Sequence, residues 1–98
     1  MMTAKGLAKL IEECGELLQV AGKKLAYWNT DDHPDCAGSL DSRLEDEMAD
    51  VIASVVFVAM TMELDQERIE DRADRKMALF MKWHVDPSNQ LDNAGALN

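Results

Sequence analysis

The run at residues 51–62, VIASVVFVAMTM, is the feature that most narrows what this chain can fold into. Only Ser54 and Thr61 interrupt its apolar character. A helix that is apolar on every side has to be covered on every side. Yet the segment leading into the run carries Glu45, Asp46, Glu47 and Asp50. Glu47 and Asp50 are three residues apart, so a helix places them on one face, about 60° from each other. Carboxylates beside a buried helix are costly unless a cation meets them. A chain of 98 residues has little else with which to wrap such a helix. Association with a second copy, as a homodimer or homotetramer, is therefore expected. The alternative is that the run forms the middle of a monomeric three-helix bundle.

The rest of the chain reads as helices of ordinary amphipathic kind. Over residues 3–28, Leu7, Leu10, Ile11, Cys14, Leu17, Leu18, Ala21 and Leu25 recur at spacings of three and four and mark one apolar face. Gly6, Gly15 and Gly22 each weaken that helix by up to about 1 kcal/mol, but also let a neighbour approach closely. Residues 29–39, NTDDHPDCAGS, are a connector by composition, and Pro34 forbids helix there. The second helix starts between Ser39 and Ser42. Ser42 with Glu45 fits a capping box, and Ser39 or Asp41 serves equally well as the cap. It runs to about residue 63. Asp65 is a good N-cap for a third helix over residues 66–84, with Ile69, Ala73, Met77, Phe80, Met81 and His84 in one stripe. The reading is thus an all-α domain over residues 1–84. Residues 85–98 lack any period and are expected to be a flexible tail.

Composition excludes several functions. The net charge of −9, from 19 acids against 10 bases, disfavours direct nucleic-acid binding, because phosphate backbones recruit Lys and Arg. An acidic chain can still handle a phosphorylated small molecule if divalent cations bridge the two. No apolar run approaches the length of about 20 residues needed to cross a bilayer. The opening residues 1–10 hold Lys5 and Lys9 and no long apolar run, so a cytoplasmic setting with Cys14 and Cys36 reduced is expected. His33 and Cys36 are two residues where a zinc site wants four ligands.

A second set of acids lies on the first helix. Glu13 and Glu16 fall on one flank of its apolar stripe, and Glu12 points to the other side or to solvent. Two pairs at i, i+3, Glu13/Glu16 and Glu47/Asp50, therefore sit on two helices. If those helices pack side by side, four carboxylates converge and cannot all ionise without counter-charge. Hard divalent cations with oxygen ligands resolve this, Mg²⁺ first and Mn²⁺ as its substitute. The absence of histidine from the set argues against zinc, and against a di-iron site built on Glu-x-x-His. The bland alternative is a solvated acidic face, with the acids of the second helix complementing its dipole.

The order Glu12-Glu13-x-x-Glu16, then about thirty residues, then Glu47-x-x-Asp50 resembles the signature of the MazG-like all-α nucleoside triphosphate pyrophosphohydrolases. The stretches LIEECGELLQVAGKK and LEDEMADVIASVVFVA resemble the two motif helices of that superfamily, and the likeness spans residues 5–84. It implies a three-helix protomer that forms a four-helix-bundle core with a partner chain. It implies Mg²⁺-dependent cleavage between the α and β phosphates, giving a nucleoside monophosphate and pyrophosphate. Glu13, Glu16, Glu47 and Asp50 would be the metal ligands, and Glu12 would orient or deprotonate the attacking water. The superfamily commonly places a Lys and, four residues on, an Asn against substrate. Here Lys76 matches the first and Phe80 stands at the second, which leaves sugar or base recognition open. Lys82 is a weaker substrate contact. Lys23, Lys24, Tyr27 and Trp28 are further candidates for phosphate contact or base stacking. Two other activities compete: hydrolysis of phosphoribosyl-ATP, and a non-catalytic oligomerisation or regulatory module of the same fold.

Overall fold

In a computed structural model, residues 4–85 are described, except for the side chain of Lys5. Among them are three α-helices and no strand: α1 (Lys5–Ala26), α2 (Leu40–Thr61) and α3 (Gln66–Val85). The expected tail lies outside the described residues, apart from Val85, which closes α3. The chain divides into two compact units, Met1–Leu64 and Asp65–Asn98.

The first unit is an antiparallel hairpin of α1 on α2. At one end the two helices meet through Gly6. A Cβ there would come within 3.3 Å of the Phe57 ring and 3.5 Å of Thr61 Oγ1, so the absent side chain sets the helix separation. Gly15 and Gly22 face open space and serve no such role. The core is small: Val20, Leu40, Val58 and Ala59 are buried, with Leu40 fully enclosed. Ser54 is the buried polar member, and its hydroxyl donates to the Val51 carbonyl at 2.8 Å.

One chain, expected to be too short to wrap the apolar run, leaves it open. Ile52, Val56, Phe57 and Met60 on α2 remain exposed, as do Ile11, Leu18 and Leu25 on α1. A single partner helix covers one stripe of α2 and leaves the others open.

The connector is tied down from both sides. Ser39 is the cap of α2, accepting from the Ser42 N–H at 3.1 Å, so the choice among three caps falls on Ser39. Just after it the N–H groups of Leu40 and Asp41 donate to the Asp31 carbonyl and carboxylate, both at 2.8 Å. The Ser39 hydroxyl and then the Asp41 N–H hold the Asp31 carboxyl below its ordinary range. Asp35 gathers the rest. Arg43 grips it with two bonds of 3.1 Å, Lys23 donates at 2.8 Å, and Ala37 N–H donates at 3.1 Å. Lys24 donates to the Thr30 carbonyl and pairs with Asp41. Tyr27 meets His33 edge to face. Lys23, Lys24 and Tyr27, considered above as substrate contacts, are thus engaged in fixing this loop. His33 Nδ1 accepts from the Asp35 N–H at 3.0 Å.

Past α2 the chain turns through Glu63, whose φ of 54° is left-handed. Leu64 N–H reaches the Ala59 carbonyl at 2.9 Å and Glu63 N–H the Met60 carbonyl at 3.2 Å, closing the helix end as glycine usually does. In the second unit, the Asp65 carboxylate accepts from Arg68 N–H at 3.0 Å and caps α3 as expected. Phe80 and Trp83 contact each other along α3, with ring centroids 5.6 Å apart.

The Asp35 junction has a pH signature. Arg43 first and Lys23 second hold its carboxyl well below the usual carboxylate range. A depressed acid contributes stability that is present above the unfolded pKa of about 3.9 and lost as pH falls toward the folded value. Asp35→Asn is expected to lower the urea midpoint at pH 7, with the gap to the parent protein narrowing progressively below about pH 4. A gap that stays constant from pH 7 to pH 2.5 would show that the ion pairs are not its source.

Candidate metal centre

The antiparallel packing brings α1 and α2 together at their acids. One carboxylate oxygen from each of Glu13, Glu47 and Asp50 lies within 4.8 Å of the other two. A hard cation holds its oxygen ligands about 2.0–2.6 Å away, so ligands on opposite sides of it are about 4–5 Å apart. The observed spread is on that scale. Helix geometry explains the grouping: Glu47 and Asp50 share a face of α2, and Glu13 is the α1 acid turned toward it.

The electrostatics are unresolved by the protein itself. Glu13 Oε1 and Glu47 Oε1 are both buried and neither has a hydrogen-bond partner. A buried carboxylate oxygen without a donor is costly, and a native structure that keeps two of them side by side calls for an explanation. The only ion pair made by any of the three acids among the described residues runs from Lys9 Nζ to Glu13 Oε2, at 3.8 Å. Burial first, then the charges of Glu16 and Asp50, push the Glu13 carboxyl above its ordinary value. Both orphaned oxygens fit a hard, oxygen-seeking divalent cation, and no histidine or cysteine belongs to the group.

A cleft of about 210 Å³ opens onto the acids, lined by Lys9, Glu13, Asp50, Ala53, Ser54 and Phe57. Its α2 side pairs the small Ala53 and Ser54 with the ring of Phe57.

The other residues singled out in the sequence are placed as follows. Glu16 is half-buried but lies outside the group of three, and acts on it through its charge on Glu13. Glu12 is exposed and its two oxygens accept from Lys9 at 3.3 and 3.4 Å. Trp28, just past the end of α1, is 69% exposed. Lys76 lines a groove of about 190 Å³ on α3 with Arg72, Arg75 and Leu79. Lys82 lies in the last turn of the same helix. None of Arg72, Arg75, Lys76 and Lys82 forms an ion pair among the described residues. The reading of the sequence passed over Lys9. Its signal was there in the spacing, three and four residues before Glu12 and Glu13.

No helix among the described residues is long and apolar enough to cross a membrane. Among curated proteins and among solved structures, no match to the chain is found. Residues 3–80 match the MazG nucleotide pyrophosphohydrolase domain. That match takes in α1, α2 and most of α3, including every acid of the cluster. The chain belongs to the MazG nucleotide pyrophosphohydrolase family.

Proposed function

We propose that the protein is a divalent-cation-dependent pyrophosphohydrolase of a nucleoside triphosphate, ribo- or deoxyribo-, with Mg²⁺ as the working ion and Mn²⁺ as its substitute. The observation that carries this reading is the meeting of Glu13, Glu47 and Asp50, with two buried oxygens left without donors. Those three residues would hold the cation, with Glu16 as the fourth ligand that the family resemblance implies. A cation bound there offsets charge on phosphate oxygens and polarises water.

In the reaction, water oxygen forms a bond to the α phosphorus. The bond from that phosphorus to the oxygen bridging to the β phosphorus breaks. The bridging oxygen keeps the electron pair and leaves with pyrophosphate, and the water proton passes to a base. Glu12 is the candidate base, being a solvent-exposed carboxylate one residue from the cluster. Lys76 and Lys82 are proposed phosphate contacts, and Trp28 a base-stacking contact. Cations facing the transferred group lower the barrier by meeting charge as it develops.

The exposed stripes of the hairpin motivate the quaternary part of the proposal. Ile11, Leu18 and Leu25 recur every seven residues on α1 and are 66–73% exposed. Ile52 and Met60 of α2 are exposed as well, at 64% and 61%. A homodimer or homotetramer that covers these residues builds a four-helix core. Light scattering should return two or four times the 10.9 kDa of one chain. A mass of one chain at micromolar concentration would remove this part.

The activity is tested by incubating the protein with Mg²⁺ and a panel of nucleoside triphosphates, with phosphoribosyl-ATP included, and measuring pyrophosphate. Release is expected from at least one nucleoside triphosphate. Glu47→Gln and Asp50→Asn should each lower kcat/KM by about 100-fold or more, the scale on which loss of one preorganised electrostatic group is felt. Release from phosphoribosyl-ATP alone would redirect the assignment. Metal binding without release from any substrate would favour a non-catalytic module, for which Phe80 in place of Asn is the motivation.

A further inference from the structure

We propose that Lys9 is a substrate anchor: its ammonium leaves the acidic cluster when a divalent cation arrives and binds the phosphates drawn into the same cleft. This rests on the metal-dependent reading above and adds to it a residue which that reading does not use.

Four observations converge. Lys9 lines the cleft together with Glu13 and Asp50. Its Nζ lies 3.8 Å from Glu13 Oε2 and makes the only ion pair to the three clustered acids among the described residues. Its side chain is 54% exposed, so the ammonium reaches both the acids and the open cleft. The buried oxygens of Glu13 and Glu47 stay unpartnered even with Lys9 present, so the ammonium does not complete the site.

A helix-surface Lys–Glu pair is weak and easily exchanged. A divalent cation on Glu13 takes over the neutralisation that Lys9 supplies and repels the ammonium, since like charges then stand at close quarters. The flexible four-carbon stem lets Nζ swing out of that contact without moving α1. A triphosphate entering beside the cation presents anionic oxygens where the ammonium is released, and Lys is a strong point-charge donor to phosphate. The same movement uncovers Glu12, from whose two oxygens Lys9 withdraws. Lys9 thereby serves as counter-charge before loading and as phosphate ligand after it.

The test uses the full chain and the variants Lys9→Gln and Lys9→Arg, with Mn²⁺ alone and pyrophosphate as the two probes. Mn²⁺ binding is followed by electron paramagnetic resonance, and pyrophosphate binding by calorimetry with and without Mg²⁺. Lys9→Gln is expected to bind Mn²⁺ at least as tightly as the parent, because a neighbouring positive charge is gone. In the presence of Mg²⁺ it should bind pyrophosphate about 10- to 100-fold more weakly, as loss of a charge-assisted hydrogen bond requires. Lys9→Arg should recover most of that loss. Pyrophosphate affinity in Lys9→Gln within twofold of the parent overturns the proposal and leaves the metal reading intact. Parallel loss of Mn²⁺ and pyrophosphate binding also overturns it, since Lys9 would then only position the acids. If the parent binds pyrophosphate but binds no Mn²⁺, the metal reading fails and the cation-driven release of Lys9 fails with it. If the parent binds neither, both fail.

Discussion

Three carboxylates pressed together where α1 crosses α2 are the constraint on which the rest of the hairpin depends. Glu13, Glu47 and Asp50 repel one another, and two of their oxygens are shut away from both water and donors. Nothing at the cluster favours the close approach of the helices. The approach has to be enforced from elsewhere, and the structure does so at both ends. At one end Gly6 lets Phe57 and Thr61 come near enough to fix the separation. At the other, Asp35 joins Lys23 of α1 to Arg43 of α2 through three short charge-assisted bonds. The local order of charge is therefore complementary where the fold is held and anticomplementary where a ligand is to be met. That division is common to sites whose strain is relieved by the group they bind.

The apolar surfaces tell a related story. The core of the hairpin is four side chains and a serine, which is small for a domain that must hold a repulsive cluster in place. Two helices give each other one covered stripe. The stripes they leave open are those a further pair of helices would cover, and burying them would stiffen the segment of α2 that follows Glu47 and Asp50. Rigidity of that segment matters for a cation site, because ligand oxygens have to keep their spacing within a few tenths of an ångström.

Much of this was legible in the amino-acid sequence because it depends on short-range periodicity. Helix order and number follow from the spacing of apolar residues, and Asp65 announces the start of α3 by its chemistry. The approach of Glu13 to Glu47 and Asp50 follows from placing acids on facing flanks. Three features were not legible. The Asp35 junction links residues 12 and 8 positions apart through a loop whose path no local rule gives. The choice of Ser39 over Ser42 as cap depends on Asp31 receiving two N–H groups from the start of α2. Glu16 was expected beside the other acids; it sits about 60° around α1 from Glu13 and lies outside the group of three.

Whether the paired acids of α1 and α2 hold a cation is decided by crystallography with Mn²⁺. Crystals grown with Mn²⁺ and a non-hydrolysable nucleoside triphosphate should give an anomalous difference peak within coordinating distance of Glu13, Glu47 and Asp50. They should also place phosphate oxygens of the nucleotide on the same ion. No peak there at saturating Mn²⁺, or a nucleotide bound elsewhere with the three carboxylates untouched, would contradict such a site.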